Sequence, residues 1–335
     1  MSAQPSLPKK IAAWRSQVWR GRLYQLVVLA ALLGLLFFLA HNTRVNMDAR
    51  GIHSGWDFLQ DGAGFDIGES LFAFDSSEPY WKAFLIGFSN TLRVSLLGIV
   101  LSTLLGTLLG VGRLSSNILV RGLCGGYVEL VRNIPLLLQL LMWYLLCTEL
   151  LPAASEPLAL GPLYLSKGGL NFPIPLWSNA ALAIDHPHPG PFAVEGGGAL
   201  SPEFLSLLLG LSLYSAAFIA ELVRSGIQSV PRGQTEAAAA LGLSRSQTLR
   251  RVTLPQALRV IIPPATNQFL NLTKNSSLAV VIGYPDVVSI ANTALNQTGR
   301  AVECIALLML VYLCTSLLTA LGMHWLNQRA AIRER

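Results

Sequence analysis

The amino-acid sequence predicts an all-α membrane protein with about six transmembrane helices. Hydrophobic residues make up 52% of the 335 residues and charged residues only 13%, with a mean hydropathy of +0.51. Soluble proteins carry about 25% charged residues. Several apolar runs also reach the roughly 20 residues that a helix needs to cross the hydrocarbon core of a bilayer.

The predicted spans follow one another along the chain. The first, residues 23–40, comes after a basic segment, and no small-residue cleavage site follows it. A retained helix is therefore favoured over a cleaved signal peptide. The other five spans are predicted at residues 83–112, 123–151, 202–224, 262–284 and 302–326.

The distribution of basic residues predicts the orientation. If the N-terminus is cytoplasmic, the segments inside the cell hold sixteen Lys and Arg residues and the segments outside hold five. Short cytoplasmic loops retain Lys and Arg during insertion, so both termini are expected inside. The same orientation explains the net charge of +6. Lipid is therefore an expected partner and nucleic acid is not, because the basic residues stand in short blocks at the ends of apolar runs.

Two long segments are predicted on the outer side. Residues 41–81 are acidic and rich in glycine, and residues 151–201 are rich in Pro and Gly. His186 and His188 lie in the second segment without a further ligand nearby in sequence, so no metal site is expected. No cofactor is expected either.

The loop between the fourth and fifth spans, residues 225–261, has the pattern of two short helices. Alanine-rich residues 235–241 favour a helix, and Gly242 suits the left-handed position that ends one. Ser244 precedes Gln247 by three residues, the spacing of a capping box, so a second helix should begin there. The prolines at 255, 263 and 264 are expected to interrupt the chain as it returns to the bilayer. The alanine run suits either a docking surface for another protein or a helix lying on the membrane.

The loop resembles the signature of ABC importer permeases. That signature is Glu-Ala-Ala, three residues, Gly, nine residues, an aliphatic residue, one residue and Leu-Pro. The matching positions are Glu236, Ala237, Ala238, Gly242, Val252, Leu254 and Pro255, with Val252 where Ile is usual. From about residue 88 to 325 the sequence is similar to membrane subunits of polar and general L-amino-acid importers, notably in "KNSSLAVVIGYPD".

The resemblance implies a domain organisation and a set of partners. It implies a five-span core at residues 83–326, with an outer insertion at 152–201 and a coupling loop at 225–261. Outside the resemblance, residues 1–82 are expected to form a tail, an additional anchor helix and an outer segment, and residues 327–335 a cytoplasmic tail. The short helix from Gln234 to Gly242 is expected to enter a cleft of a separate ATPase subunit.

The resemblance further implies an inner-membrane location, a periplasmic amino-acid-binding protein and a second homologous permease. Two different permeases are favoured over two copies of one. No Walker A phosphate-binding loop occurs in the sequence, so ATP hydrolysis is expected on a partner and the chain itself is not expected to be an enzyme.

Ionisable residues inside the spans are candidates for the substrate path, since they are costly at bilayer depth. Arg132, Glu221 and Lys274 are expected at similar depth. Glu221 could receive the ammonium group of an amino acid, and Arg132 or Lys274 its carboxylate. Alternatively, these charges pair with one another or hold two subunits together.

Other polar residues are also predicted near the path. Arg93 suits either a contact to an anionic group on the outer side or hydrogen bonds to neighbouring helices. Pro135 and residues 275–277 are expected to break helix regularity, and such backbone at bilayer depth lines protein or water. Asn275 and Ser276 are therefore included in the predicted path.

Two other classes of protein are alternatives. A secondary transporter driven by an ion gradient predicts repeats and broken helices in both halves of the sequence, which are not apparent. A membrane-bound enzyme predicts a cluster of His, Cys or carboxylate residues at active-site spacing, which is not apparent either.

Overall fold

A computed structural model describes residues 17–49, 51, 54–178 and 181–330. The predicted N-terminal tail up to residue 16, and residues 331–335 of the predicted C-terminal tail, lie outside the described residues. The chain divides into two compact units, Met1–Gly55 and Trp56–Arg335. The first unit contains helix α1 (Gln17–Ala49), which includes the predicted first span. The spanning part of α1 is strongly apolar, and none of its residues is buried. This is expected for a helix whose side chains contact lipid.

The second unit contains the rest of the helices. They are α2 (Tyr80–Gly112), α3 (Ile118–Asn133), α4 (Leu136–Leu145), α5 (Pro202–Gln228), α6 (Arg232–Ala240), α7 (Arg245–Thr248), α8 (Leu254–Asn275), α9 (Val287–Thr298) and α10 (Ala301–Ala330). Within the described residues, α1, α2, α5 and α10 are long and apolar enough to cross a membrane, and two bent helix pairs raise the number to six. The predicted all-α membrane class is confirmed.

The predicted third and fifth spans are not straight helices. Helices α3 and α4, followed by a π-helical turn at Leu146–Leu150, are bent by 104°. The bend lies at Ile134 and Pro135, which are extended, so the expected break at Pro135 is confirmed. The segment that contains α8 changes to a 3₁₀ helix at Ser276–Ile282, so the loss of helix regularity predicted at residues 275–277 is confirmed. The 51° bend toward α9 comes later, between Ile282 and Val287.

Helix α8 corrects one expectation. Pro255 lies in its first turn, where the missing N–H is not needed, but Pro263 and Pro264 lie inside the helix and do not interrupt it. Neighbouring helices hold a proline-containing transmembrane helix together, and α8 packs against α5 and α10. The prediction that the chain breaks at these two prolines is wrong.

The outer insertion forms β-structure that the sequence reasoning did not predict. Its strands are β1 (Leu158–Leu160), β2 (Leu163–Ser166), β3 (Gly169–Phe172), β4 (Ile174–Ser178), β5 (Ala181–Asp185), β6 (His188–Pro189), β7 (Val194–Glu195) and β8 (Gly198–Leu200). They pair antiparallel as a four-stranded sheet in the order β1-β2-β3-β8 and as the hairpins β4-β5 and β6-β7.

Helices α2 and α5 pack closely against each other, because small residues line their contact. A Cβ atom on Gly106 would lie 2.7 Å from the Cβ of Ile219. A Cβ atom on Gly110 would lie 2.7 Å from the carbonyl oxygen of Ala220. Close backbone approach through small residues is typical of membrane helices. The two helices should therefore move as one body.

Residues 56–79 form a segment that we call the outer strap. Phe58 and Ala63 of the strap are buried in a cluster with Tyr80 of α2 and residues of α9 and α10. Backbone hydrogen bonds from Ala63 to Glu78 and from Gly64 to Ser76 close the strap on itself. The strap is therefore folded against the end of the bundle that the predicted topology places outside.

Candidate functional site

The coupling loop contains a helix with a well-defined end. Helix α6 is followed by Gly242, whose φ of +77° lies in the left-handed region that glycine adopts at little cost. The Gly242 amide donates to the Ala239 carbonyl at 2.9 Å, and the Leu243 amide donates to Ala238 at 3.1 Å. This pair of bonds is the Schellman motif, which satisfies the last carbonyl groups of a helix. The predicted stop at Gly242 is confirmed.

The second helix of the loop begins as predicted. The Gln247 amide donates to the Ser244 hydroxyl oxygen at 3.3 Å, and the Ser244 amide donates to the Gln247 side-chain oxygen at 2.9 Å. This reciprocal pair is the predicted capping box. A π-helical turn at Leu249–Thr253 then joins α7 to α8.

One face of α6 is open to the surroundings. Gln234, Ala237 and Leu241 lie at helical spacing and are exposed, with Leu241 at 83%. Glu236 is also exposed, whereas Ala238 is 3% exposed and faces the rest of the loop. The open face therefore combines small side chains with one large apolar residue at its end.

The base of the loop connects directly to two spans. Leu254 is 41% exposed and Pro255 is half-buried at the start of α8. A Cβ atom on Gly226 of α5 would lie 2.3 Å from Ile261 of α8, so the two helices touch closely where they leave the loop. A displacement of the loop would therefore reach α5 and α8 together.

Glu221 is bound by arginine residues. It forms ion pairs with Arg113, at the end of α2, and with Arg224, one turn further along α5. Arg113 also lies 3.7 Å from Glu129 of α3. These contacts join α2, α3 and α5 at the end of the bundle predicted to be cytoplasmic, as in the structural alternative given for the charged residues.

Arg132 and Lys274 have different surroundings. The Arg132 guanidinium carbon lies 5.1 Å from the centre of the Phe218 ring, a cation–π contact. Lys274 is exposed, and no ion pair joins it to another residue in the described part of the chain. Lys274 borders a groove of about 700 Å³ between α8 and α10. The groove is also lined by Ala306, Met309, Leu310, Tyr312, Leu313 and Ser316.

The residues after Lys274 mark the change of helix type. Asn275 is half-buried at the end of α8, and Ser276 is buried at the start of the 3₁₀ helix. The Ser276 hydroxyl donates to the Thr273 carbonyl at 2.7 Å. Irregular backbone therefore lies next to the groove that Lys274 borders.

Arg93 contacts an anionic group within the same chain. Its guanidinium lies 2.7 Å from the Glu69 carboxylate of the outer strap, and the two side chains are 18% and 12% exposed. The guanidinium carbon also lies 4.4 Å from the centre of the Phe204 ring of α5. Sequence reasoning did not single out Glu69, Arg113 or Phe204, since partners far apart in the chain leave no local pattern.

Among the residues that the structure describes, no group of three or more His, Cys, Asp or Glu side chains could hold a metal ion. The chemical features at hand are a capped, exposed helix outside the bundle and charged side chains within it. An apolar bundle with bent spans and an exposed, capped helix in one loop is typical of a membrane-embedded subunit of a transport system.

The chain belongs to the family of binding-protein-dependent transport system inner membrane components. The family model matches residues 98–332. That region contains the coupling loop and all spans after the middle of α2. A permease subunit of this kind is not an enzyme by itself.

Named relatives cover nearly the whole chain. The general L-amino acid transport system permease protein AapQ of Rhizobium johnstonii is 41% identical over 374 residues, covering 95% of this chain and 94% of the relative. The putative amino-acid ABC transporter permease protein YhdX of Escherichia coli is 41% identical over 393 residues and covers both chains fully.

A solved structure is also similar. The crystal structure of an amino acid ABC transporter with histidines matches with a TM-score of 0.55 and 25% identity, covering 75% of this chain and 95% of that one. The family that the coupling-loop pattern suggested is therefore confirmed by sequence and by fold.

Proposed function

We propose that the chain is the permease subunit of an ABC importer that carries L-amino acids across the inner membrane. The observation that carries the proposal is the exposed, capped α6 at the position of the permease signature. The names of the relatives AapQ and YhdX support amino acids as the substrate class. Both termini lie in the cytoplasm, in keeping with the distribution of Lys and Arg.

The energy for transport comes from an ATPase on another chain. The exposed face of α6, with Gln234, Glu236 and Ala237, enters a cleft of that ATPase. Ala238 lies on the opposite, buried side of the helix, and Gly242 ends the helix directly after the exposed face. Movement of the ATPase then reaches α5 and α8 through the close contact at Gly226 and through Leu254 and Pro255.

Two further proteins complete the transporter. A periplasmic binding protein delivers the amino acid to the outer face, and a second, homologous permease forms the other half. The relatives include GltJ and GltK, two glutamate/aspartate import permease proteins, which favours two different permeases over two copies of one.

The substrate path runs along α8 where its helix changes type. Lys274 offers an ammonium group beside an open groove and binds the carboxylate of the amino acid by a charge-assisted hydrogen bond. Asn275 and Ser276 provide the irregular backbone next to it. Glu221 and Arg132 serve the scaffold instead, because arginine residues and Phe218 already contact them.

Purification and uptake test this function. A tagged chain, extracted in mild detergent from cells that also express the other transporter subunits, should bring along an ATPase and a second permease. Lys274→Met should keep these partners and lower ATP-driven uptake about tenfold or more, since a charge-assisted hydrogen bond is lost. Purification without an ATPase would contradict the proposal, and full uptake by Lys274→Met would remove Lys274 from the path.

A further inference from the structure

The outer strap has an unusual charge distribution. Within residues 56–79 there are six Asp and Glu residues and no Lys or Arg. Most of these carboxylates face solvent, but the Glu69 side chain is only 12% exposed. A carboxylate is normally left in water unless a partner compensates for its burial. Glu69 is therefore placed inside the protein by specific contacts.

Three elements meet at Glu69. One carboxylate oxygen lies 2.7 Å from Arg93 of α2, and the other accepts a hydrogen bond of 3.3 Å from the Ser201 amide at the start of α5. The Glu69 carbonyl accepts a hydrogen bond of 2.8 Å from the Asn90 side chain. Glu69 thus joins the tip of the strap to the outer half of α2 and to the start of α5.

The tip of the strap is otherwise open. Leu71 and Phe72, directly after Glu69 and Ser70, are 56% and 62% exposed. The Ser70 hydroxyl donates to the Phe72 carbonyl at 2.6 Å, which gives the tip a local turn of its own. The tip could therefore leave the bundle as a unit if the contacts of Glu69 were released.

Arg93 lies in the outer half of α2, level with the start of α5. It precedes Arg113 by twenty residues, about 30 Å along α2 at 1.5 Å per residue. This length matches the thickness of the hydrocarbon core, and Arg113 marks the cytoplasmic end through its pair with Glu221. The Glu69–Arg93 pair therefore lies at the depth where a substrate would enter from outside.

We propose that Glu69 is an internal competitor for the substrate at the outer mouth of the permease. Its carboxylate occupies Arg93 until the α-carboxylate of an arriving amino acid takes its place. The two groups are chemically alike, so the guanidinium can bind either one through charge-assisted hydrogen bonds. The displaced carboxylate returns to water with the exposed tip. This inference rests on the proposed import of amino acids and adds a means of keeping the mouth closed when no substrate is delivered.

The alternative is that the pair only holds the strap in place. Either Glu69→Gln or Arg93→Gln would then break the same contact and have the same effect. Competition predicts different effects for the two variants instead. Glu69→Gln leaves the Arg93 cation free for an external carboxylate, and its amide oxygen can still accept from Ser201. Arg93→Gln removes the cation itself.

The test uses vesicles that contain the complete complex of both permeases and the ATPase, with ATP on the cytoplasmic side. Labelled amino acid is added outside, and the binding protein is omitted. Glu69→Gln should raise uptake about tenfold over the unmodified complex, the factor for one charge-assisted hydrogen bond. Arg93→Gln and the double variant should show no gain. Asp57→Asn is the matched control, because it weakens a different ion pair of the strap, with Arg300, and should show no gain either.

Equal uptake by Glu69→Gln, Arg93→Gln and the double variant would overturn the proposal, as would an equal gain for Asp57→Asn. If Glu69→Gln does not accumulate in the membrane, Glu69→Asp shortens the side chain by one methylene and should give a smaller gain of the same sign. No gain for Glu69→Asp would then count against the proposal. Failure of the proposed function would give a different result. The unmodified complex would then show no ATP-driven uptake even with its binding protein present.

Discussion

The end of helix α6 provides the sharpest test of the coupling loop. Gly242 has a φ of +77°, and no atom lies within 4 Å of the position that a Cβ would take. A side chain at this position therefore meets no steric obstacle, and its cost comes from the backbone conformation alone. Gly242→Ala is the perturbation, and Gly242→Asn is its matched control, since Asn tolerates the left-handed region.

The size of the effect follows from that conformation. An L-residue with a Cβ pays about 1–2 kcal/mol in the left-handed region. The Gly242→Ala chain can avoid this strain by opening the two Schellman hydrogen bonds, to Ala238 and Ala239. If the ATPase binds only the turn in which both hydrogen bonds are formed, the whole strain energy is lost from the free energy of binding. Affinity should then fall about 5- to 30-fold.

The assay compares the three proteins at equal membrane content. Affinity purification at several ATPase concentrations gives the apparent dissociation constant, and ATP-driven uptake is measured in parallel. Gly242→Ala should weaken ATPase binding and lower uptake, and Gly242→Asn should remain close to the unmodified protein. Unchanged binding and uptake by Gly242→Ala, with normal insertion, would refute the assignment of this turn to coupling.

Three further outcomes follow from the packing and the caps. Gly106→Val should lower the unfolding temperature in detergent by overpacking against Ile219, at a cost of about 1–3 kcal/mol; an unchanged temperature would contradict the close α2–α5 contact. Ser244→Ala should destabilise the start of α7 by about 1 kcal/mol, seen as faster hydrogen exchange at the Gln247 amide. Glu221→Gln should lower thermal stability by removing the carboxylate that pairs with Arg113 and Arg224, with uptake per folded complex unchanged; lost uptake at full stability would instead assign Glu221 to the substrate path.

The parts of the molecule that sequence reasoning predicted correctly are local. The stop at Gly242 depends on the conformational freedom of one residue, and the capping box depends on two side chains three residues apart. The break at Pro135 likewise follows from a missing N–H and a fixed φ. The spans are predictable because lipid demands long apolar runs.

The parts that sequence reasoning missed depend on distant residues. Glu221 meets Arg113 across 108 positions, and no pattern near either residue shows that they will pair. Glu69 belongs to an acidic segment, and no local sequence pattern distinguishes it from the other acidic residues there. Pro263 and Pro264 have a strong local signal for a break, and packing of α8 against its neighbours overrides that signal.

The β-insertion was missed for a related reason. Its strands are short, between two and five residues, and lie among many Pro and Gly residues that indicate turns more strongly than strands. The strands β3 and β8 pair although β4, β5, β6 and β7 lie between them in the sequence. Only their pairing in three dimensions reveals the sheet.

Reconstitution in sealed vesicles tests the central claim most directly, namely that this chain conducts amino acids but takes its energy from another polypeptide. Accumulation of labelled amino acid is measured with the chain alone and with the complete complex, each with and without ATP and binding protein. The account predicts accumulation against a gradient only for the complete complex supplied with ATP. Accumulation by the chain alone, driven by an ion gradient and without nucleotide, would contradict it.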